Sequence, residues 1–231
     1  MKTYLLQNQD SVELLESQYF EPAYWVGKPG YQAIAGGRGG SVRIQLGDDQ
    51  VILRHYYRGG LVRKLFTDQY LWLGKHRSRP WREWQILLKA QAAGLPVPEP
   101  VAACVTRTGF YYHAAIMTRY LVDTQTLAER LANSLLEPGD WYQLGLVIKR
   151  LHVAGIRHAD LNASNILVDS ANRFYIIDFD RARLVKRLDD WQWRPLYRLQ
   201  RSLNKYDRNQ GIHYYSDDWQ ALMDGYQAKT A

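Results

Sequence analysis

Three oxygen-bearing side chains stand at intervals that suit work on a phosphate. Asp160 and Asn165 are five residues apart in HADLNASNILVD, and Asp178 lies thirteen beyond Asn165 in FYIIDFD. Each borders a short β-branched or aromatic run, Ile166 to Val168 or Phe174 to Ile177, and the turn DSANR between the runs folds the chain back on itself. A hairpin there brings all three side chains toward one place. Phosphoryl transfer asks little covalent chemistry of a protein; it needs an acceptor hydroxyl aligned with the phosphate and cations bridging the phosphate oxygens. Asp178 suits a hard cation such as Mg2+, Asn165 offers a neutral oxygen to a second ion, and Asp160 offers a carboxylate that orients a hydroxyl and accepts its proton. Capping of turns is the competing use of the two aspartates.

The elements that must hold this set follow from pattern. AGGRGG, which contains Gly36, Gly37, Gly39 and Gly40, leads into SVRIQL, a turn at Gly47-Asp48-Asp49, and VILRHYY, so the spacing predicts a hairpin with a glycine loop at its start. Glycines allow positive φ and close approach of backbone to phosphate, although a plain tight turn needs them as well. WREWQILLKAQAA places Trp81, Trp84, Leu88 and Ala92 at helical spacing, closed by Gly94. The prolines of LPVPEP forbid helix and make a loop. VAACVTR and FYYHAAIMT form a second hairpin, joined at Thr108-Gly109. From Thr126 onward LAERLANSLL and DWYQLGLVIKRLHVAG are helical. Strand-rich then helix-rich order predicts an α+β chain of two lobes, residues 1–118 and 119–231, changing over between Met117 and Leu121.

The 231 residues carry a formal charge of +7, which implies an anionic partner without naming it. Cations gather late, from Arg181 to Arg208, interleaved with Trp191, Trp193, Tyr197 and Tyr206; a solvated helix face would look the same. The single cysteine, Cys104, excludes an intramolecular disulfide and a Cys/His metal cluster, and reads as a core residue. No apolar run reaches the length of a membrane span, and polar residues interrupt the N-terminus before a signal-peptide core could form, so a cytoplasmic or peripheral protein is expected.

HADLNASNILV resembles the H-R-D-L-x-x-x-N catalytic loop of protein kinases, and IIDFD resembles their D-F-G motif at the usual distance. The resemblance implies a bilobal kinase-like fold with a small antiparallel-sheet N-lobe and a short, mainly helical C-lobe. It also implies ATP and Mg2+, with Asp160 at the acceptor hydroxyl, Asn165 and Asp178 on metal, and Gly36, Gly37, Gly39 and Gly40 over the phosphates. His158 braces backbone. Ile52 and Arg54 occupy the A-x-K positions of the third kinase strand, so Arg54 stands where a lysine is expected, with Glu83 as ion-pair partner; Lys64 or Lys75 could fill the same role. Met117 to Tyr120 become the hinge that meets adenine. Ala159 replaces the arginine that reads a phosphorylated activation loop, Asp180 replaces the glycine of D-F-G, Asn162 stands where many protein kinases have lysine, and no A-P-E follows. These departures point to a small molecule or sugar as acceptor.

Within that superfamily, GGRGG, LRHYYRGGLVRKL, PWREWQILLKAQAAGLPVPEPVAA, HADLNASNILV and IIDFDRARL resemble the 3-deoxy-D-manno-octulosonic acid (Kdo) kinases of the lipopolysaccharide core kinase group. That resemblance implies phosphorylation of a hydroxyl, the 4-OH, of Kdo on a lipid A precursor at the cytoplasmic face of the inner membrane. The implied partners are the Kdo-linked lipid A precursor and the anionic membrane surface, with no nucleic acid. Arg58, Arg63, Arg77 and the Arg181 to Arg208 segment are the cations that could meet them. Two other readings stand beside it: a short RIO-like protein kinase, and a catalytically inactive nucleotide- or RNA-binding module.

Overall fold

The structure is a computed structural model that describes residues 1–8, 15–34, 41–56, 70–185 and 190–229. The chain divides into two compact units, Met1–Gln85 with Glu99–Tyr120, and Ile86–Pro98 with the residues from Leu121 onward.

The first unit is built on β1 (Lys2–Gln7), a single helical turn α1 (Pro22–Trp25), β2 (Gln32–Ala33), β3 (Val42–Leu46), β4 (Asp49–His55) and β5 (Tyr70–Leu71). It continues through the first half of α2 (Arg79–Ala92), then β6 (Pro100–Thr108) and β7 (Tyr111–Arg119). The seven strands form one antiparallel sheet in the order β1-β6-β7-β4-β3-β2, with β5 also paired to β7. Leu46 faces Asp49 across a two-residue turn in which Gly47 has φ +57°, the left-handed value that a tight hairpin requires. Strand alternation sends Val51 and Leu53 into a core with Val42, Ile44, Phe20, Trp25 and Met117, and turns Ile52 and Arg54 to the opposite face.

On α2 the buried residues are Pro80, Glu83, Trp84, Ile86, Leu87 and Ala90, whereas Leu88 and Ala92 are exposed. Of the four positions the apolar spacing picks, Trp84 is buried and Trp81 half-buried, and only Leu88 and Ala92 miss the inward face. A carboxylate counts as polar in any periodicity, yet Glu83 is only 3% exposed because it is ion-paired and hydrogen-bonded, and that rotates the inward face toward it.

The second unit contains β8 (Thr124–Thr126), α3 (Leu127–Asn133), α4 (Pro138–Val153), β9 (Ile156–Arg157), β10 (Ile166–Asp169), β11 (Phe174–Ile176), β12 (Arg183–Leu184), α5 (Trp193–Gln210) and α6 (Ser216–Gln227). Strands β11-β10-β8 form a small antiparallel sheet, and β12 pairs with β9. Thr126 and Glu129 close a capping box at the start of α3, which ends at Asn133, short of the LAERLANSLL run. Trp141, Leu144, Ile148 and Leu151 of α4 are fully buried with Leu127, Leu131, Leu199, Leu203 and Leu222. Gly145 and Gly225 let α4 and α6 meet backbone to backbone: a Cβ on Gly145 would overlap the Leu222 carbonyl oxygen, and one on Gly225 would overlap that of Tyr142. Among the described residues no helix is long and apolar enough to cross a membrane.

Candidate active site

The β10–β11 hairpin sets the frame. Asp169 accepts the amides of Ala171 and Arg173, both at 2.9 Å, and so ties the DSANR turn; Ile166 then faces Ile176. One step further, the Ile177 amide donates to the Asn165 carbonyl at 3.0 Å. Asn165, just before β10, and Asp178, just after β11, are thereby neighbours at the same end of the hairpin.

Asp160 is held from below by amides. Its carbonyl oxygen accepts the side-chain N–H of Asn165 at 2.9 Å and that of Asn162 at 2.8 Å, while the Asn162 Oδ1 takes the Ser164 amide at 2.9 Å. The bond from Asn165 Nδ2 also orients that amide, so Oδ1, the atom a cation would take, has no hydrogen-bond donor among the described residues. His158, 1% exposed, donates from Nε2 to the Ile177 carbonyl at 3.0 Å and meets Phe179 edge-on at 5.1 Å. Burial pushes its pKa down, opposed by the hydrogen bond to Ile177 and by Asp178 and Asp160, so the ring is a neutral brace that feels both carboxylates. Asp178 itself sits in the left-handed region, φ 63° and ψ 67°, an uncommon place for a residue with a side chain, and its own side chain is exposed. The buried Phe179 after it and the Ile177 bonds before it hold that conformation.

In the first unit Arg54 and Glu83 are brought together. The Arg54 Nη2 donates to Glu83 Oε1 at 2.5 Å and Oε2 at 2.7 Å, and the Tyr56 hydroxyl adds a third bond to Oε2 at 2.6 Å. Lys75 instead lies 5.3 Å from the centre of the Trp81 ring. Lys64 and the glycines Gly36, Gly37, Gly39 and Gly40 lie outside the described residues, as do Arg58 and Arg63. In the expected hinge the amides of Arg119 and Tyr120 already donate, at 2.8 Å each, to the carbonyls of Glu99 and Gln50. Those two donors are not available to a base.

Three participants escaped the sequence reading. Tyr56 offered no signal beyond its place two residues after Arg54. Asn162 was read only as a missing lysine. Arg198, counted among the surface cations, donates from Nε to Asp160 Oδ1 at 2.7 Å and from Nη2 to the same oxygen. One and two turns on along α5, Ser202 Oγ accepts the Ala163 amide at 3.2 Å and the Tyr206 hydroxyl meets Ser164 Oγ at 2.7 Å. This i, i+4, i+8 face was visible in the sequence; what it faces was not. Arg198 is accordingly removed from the set of arginines expected to meet a membrane.

A family model described as the lipopolysaccharide kinase (Kdo/WaaP) family matches residues 28–226. The 3-deoxy-D-manno-octulosonic acid kinase of Xylella fastidiosa (strain M12) is 38% identical over 212 residues, which cover 92% of this chain and 84% of that protein. The proteins of the same name from Vibrio vulnificus (strain YJ016) and Xanthomonas axonopodis pv. citri (strain 306) are each 35% identical. Those matches cover 93% and 96% of this chain and 90% and 89% of theirs.

Proposed function

The chain belongs to the lipopolysaccharide kinase (Kdo/WaaP) family, and we propose from that membership that it moves the γ-phosphate of ATP to the 4-OH of a Kdo sugar on a lipid A precursor. The observation that carries the reading is the arrangement of Asp160, Asn165 and Asp178 around one hairpin end and one buried imidazole. Asp160 takes the acceptor proton. Asn165 and Asp178 would hold Mg2+, a hard cation that takes few protein oxygens, and one carboxylate with one oriented amide oxygen fits that habit. When bound there, the ion would supply positive charge against the phosphates. Arg54, fixed by Glu83 and Tyr56, is the side chain we assign to the nucleotide phosphates.

Association with the anionic inner-membrane surface is part of the same proposal. It is supported by the exposed Trp193 and Tyr197 of α5 beside the exposed Arg194 and Arg201. With Leu196, Gln200, Trp219 and Met223, the two aromatics line a cavity of about 240 Å³.

The purified protein is incubated with γ-labelled ATP and lipid A precursors with and without Kdo. Label is expected only on Kdo-bearing lipid, with the phosphate placed at C4 by NMR. Asp160→Ala is expected to cut transfer by about a hundredfold or more with nucleotide affinity retained, and Asp178→Asn to weaken Mg-ATP binding and transfer together. Label on polypeptide rather than lipid, or absence of turnover, refutes the proposal.

A further inference from the structure

Arg198 is placed where a surface arginine has no structural need to be. Its side chain is 46% exposed, so its bond to Asp160 adds little to stability. Its position is nonetheless well fixed, because Ser202 and Tyr206 anchor the same helix face to residues 163–164, and Leu199 and Leu203 beside it are fully buried. Both Arg198 donors go to one oxygen, Oδ1, which also takes the Asn162 side-chain N–H at 3.3 Å. Among the described residues the other oxygen, Oδ2, accepts nothing, and neither does the Nη1 of Arg198 donate to anything.

That division leaves two adjacent, oriented and unused groups. Oδ2 can take the proton of a hydroxyl, and the outer edge of the guanidinium can take an anion on the same molecule. A planar guanidinium offers paired N–H groups whose geometry matches a carboxylate. Helical geometry, at about 100° per residue, puts Ser202 about 40° to one side of Arg198 and Arg201 about 60° to the other. Arg198 is thus the seam between the face that supports the catalytic loop and the exposed cationic stripe of Arg194, Arg201 and Lys205.

We propose that Arg198 is the specificity residue of the acceptor site: it holds Asp160 through Oδ1 and binds the acceptor's own carboxylate through its outer N–H edge. This rests on the proposed reaction, whose acceptor is a sugar acid. The chemistry selected is an anionic sugar with a carboxylate next to the ring; a neutral sugar of the same shape is discriminated against. No group is transferred to or from Arg198.

The test crosses two proteins with two acceptors. Wild type and Arg198→Gln are assayed with the Kdo-bearing lipid and with the same lipid carrying its Kdo carboxyl as the methyl ester. In wild type, esterification is expected to raise the acceptor KM roughly tenfold or more, the worth of a charge-assisted hydrogen bond. In Arg198→Gln the acid is expected to be as poor as the ester is for wild type, and esterification to cost little further. The KM for ATP is expected to stay unchanged in all four. Equal losses for acid and ester in Arg198→Gln, with the wild-type preference for the acid retained, overturn the proposal and leave Arg198 as a positioning residue for Asp160. Arg198→Lys, which keeps charge but not the fork, is expected to recover only part of the preference; full recovery also refutes the bidentate contact. Failure of wild type to phosphorylate the acid at all is a different outcome and refutes the reaction itself.

Discussion

Glu83→Gln is the most informative single change in the first unit. The glutamine keeps the shape and one acceptor oxygen but removes the charge from a carboxylate that is 3% exposed and, among the described residues, accepts hydrogen bonds at 2.5, 2.7 and 2.6 Å. Breaking a fully buried ion pair costs about 3–5 kcal/mol. Here Arg54 is 24% exposed, so water reaches part of the abandoned guanidinium and the expected loss is lower, about 2–3 kcal/mol. In a chain of this size that is a fall in Tm of roughly 5–10 °C. If the pair exists to aim Arg54 at phosphate, Mg-ATP affinity must fall as well, by about tenfold, at a temperature where the variant is fully folded. Calorimetry on wild type, Glu83→Gln, Arg54→Gln and the double variant separates the terms, since the double variant should bind nucleotide no worse than the worse single one. Melting that drops while Mg-ATP affinity stays at the wild-type value in Glu83→Gln refutes the nucleotide role and leaves the pair as a tie between β4 and α2.

Two further outcomes concern the second unit. Gly145→Ala gains about 1 kcal/mol in helix propensity, but its Cβ would overlap the Leu222 carbonyl and lie 2.7 Å from the Tyr226 amide nitrogen. Backbone atoms of a packed helix yield poorly, so a net loss of about 2 kcal/mol and a Tm lower by roughly 4–8 °C are expected; an unchanged or higher Tm in a thermal melt contradicts the close α4–α6 contact. His152 is 1% exposed, and burial, with repulsion from His158, brings its pKa from 6.5 down to about 4. The unfolded chain therefore takes the proton first, so this stability is complete above about pH 6.5 and is lost as pH falls toward 4, by up to about 1.4 kcal/mol per unit. In urea titrations His152→Gln should flatten this loss, leaving the share of His158, whose pKa is lowered for the same reason; an equal slope in variant and wild type excludes His152 as its source.

What the sequence disclosed and what it hid divide by distance along the chain. Asp160, Asn165 and Asp178 could be grouped because one short hairpin decides their placement, and period-two alternation with a turn fixes a hairpin. The β3–β4 turn was legible for the same reason. The burial of Glu83 was not, because it depends on Arg54 and Tyr56, which lie 29 and 27 residues away on the sheet. Arg198 was misplaced more seriously, since its partner is 38 residues off and nothing in a helix of alternating cations and aromatics says which cation turns inward.

That misplacement bears on how the basic segment must be tested. Reversing Arg194, Arg198 and Arg201 together treats three cations as one surface, yet of the three only Arg194 and Arg201 lie in the outward stripe without a bond to Asp160. A triple variant would lose Asp160 geometry and interfacial charge at once, and a rise in the KM for a lipid-linked acceptor could not be divided between them. Charge reversal at Arg194 and Arg201 alone leaves the Asp160 contact in place. Exposed charges are screened over about 10 Å at ~0.1 M ionic strength, so a loss caused by that pair should be reproduced in wild type by added salt. The contribution of Arg198, which grips one oxygen at hydrogen-bond distance, should persist in the same salt. Salt dependence thus separates a cation that attracts a charged surface from one that holds an atom in place, although both belong to one turn of one helix.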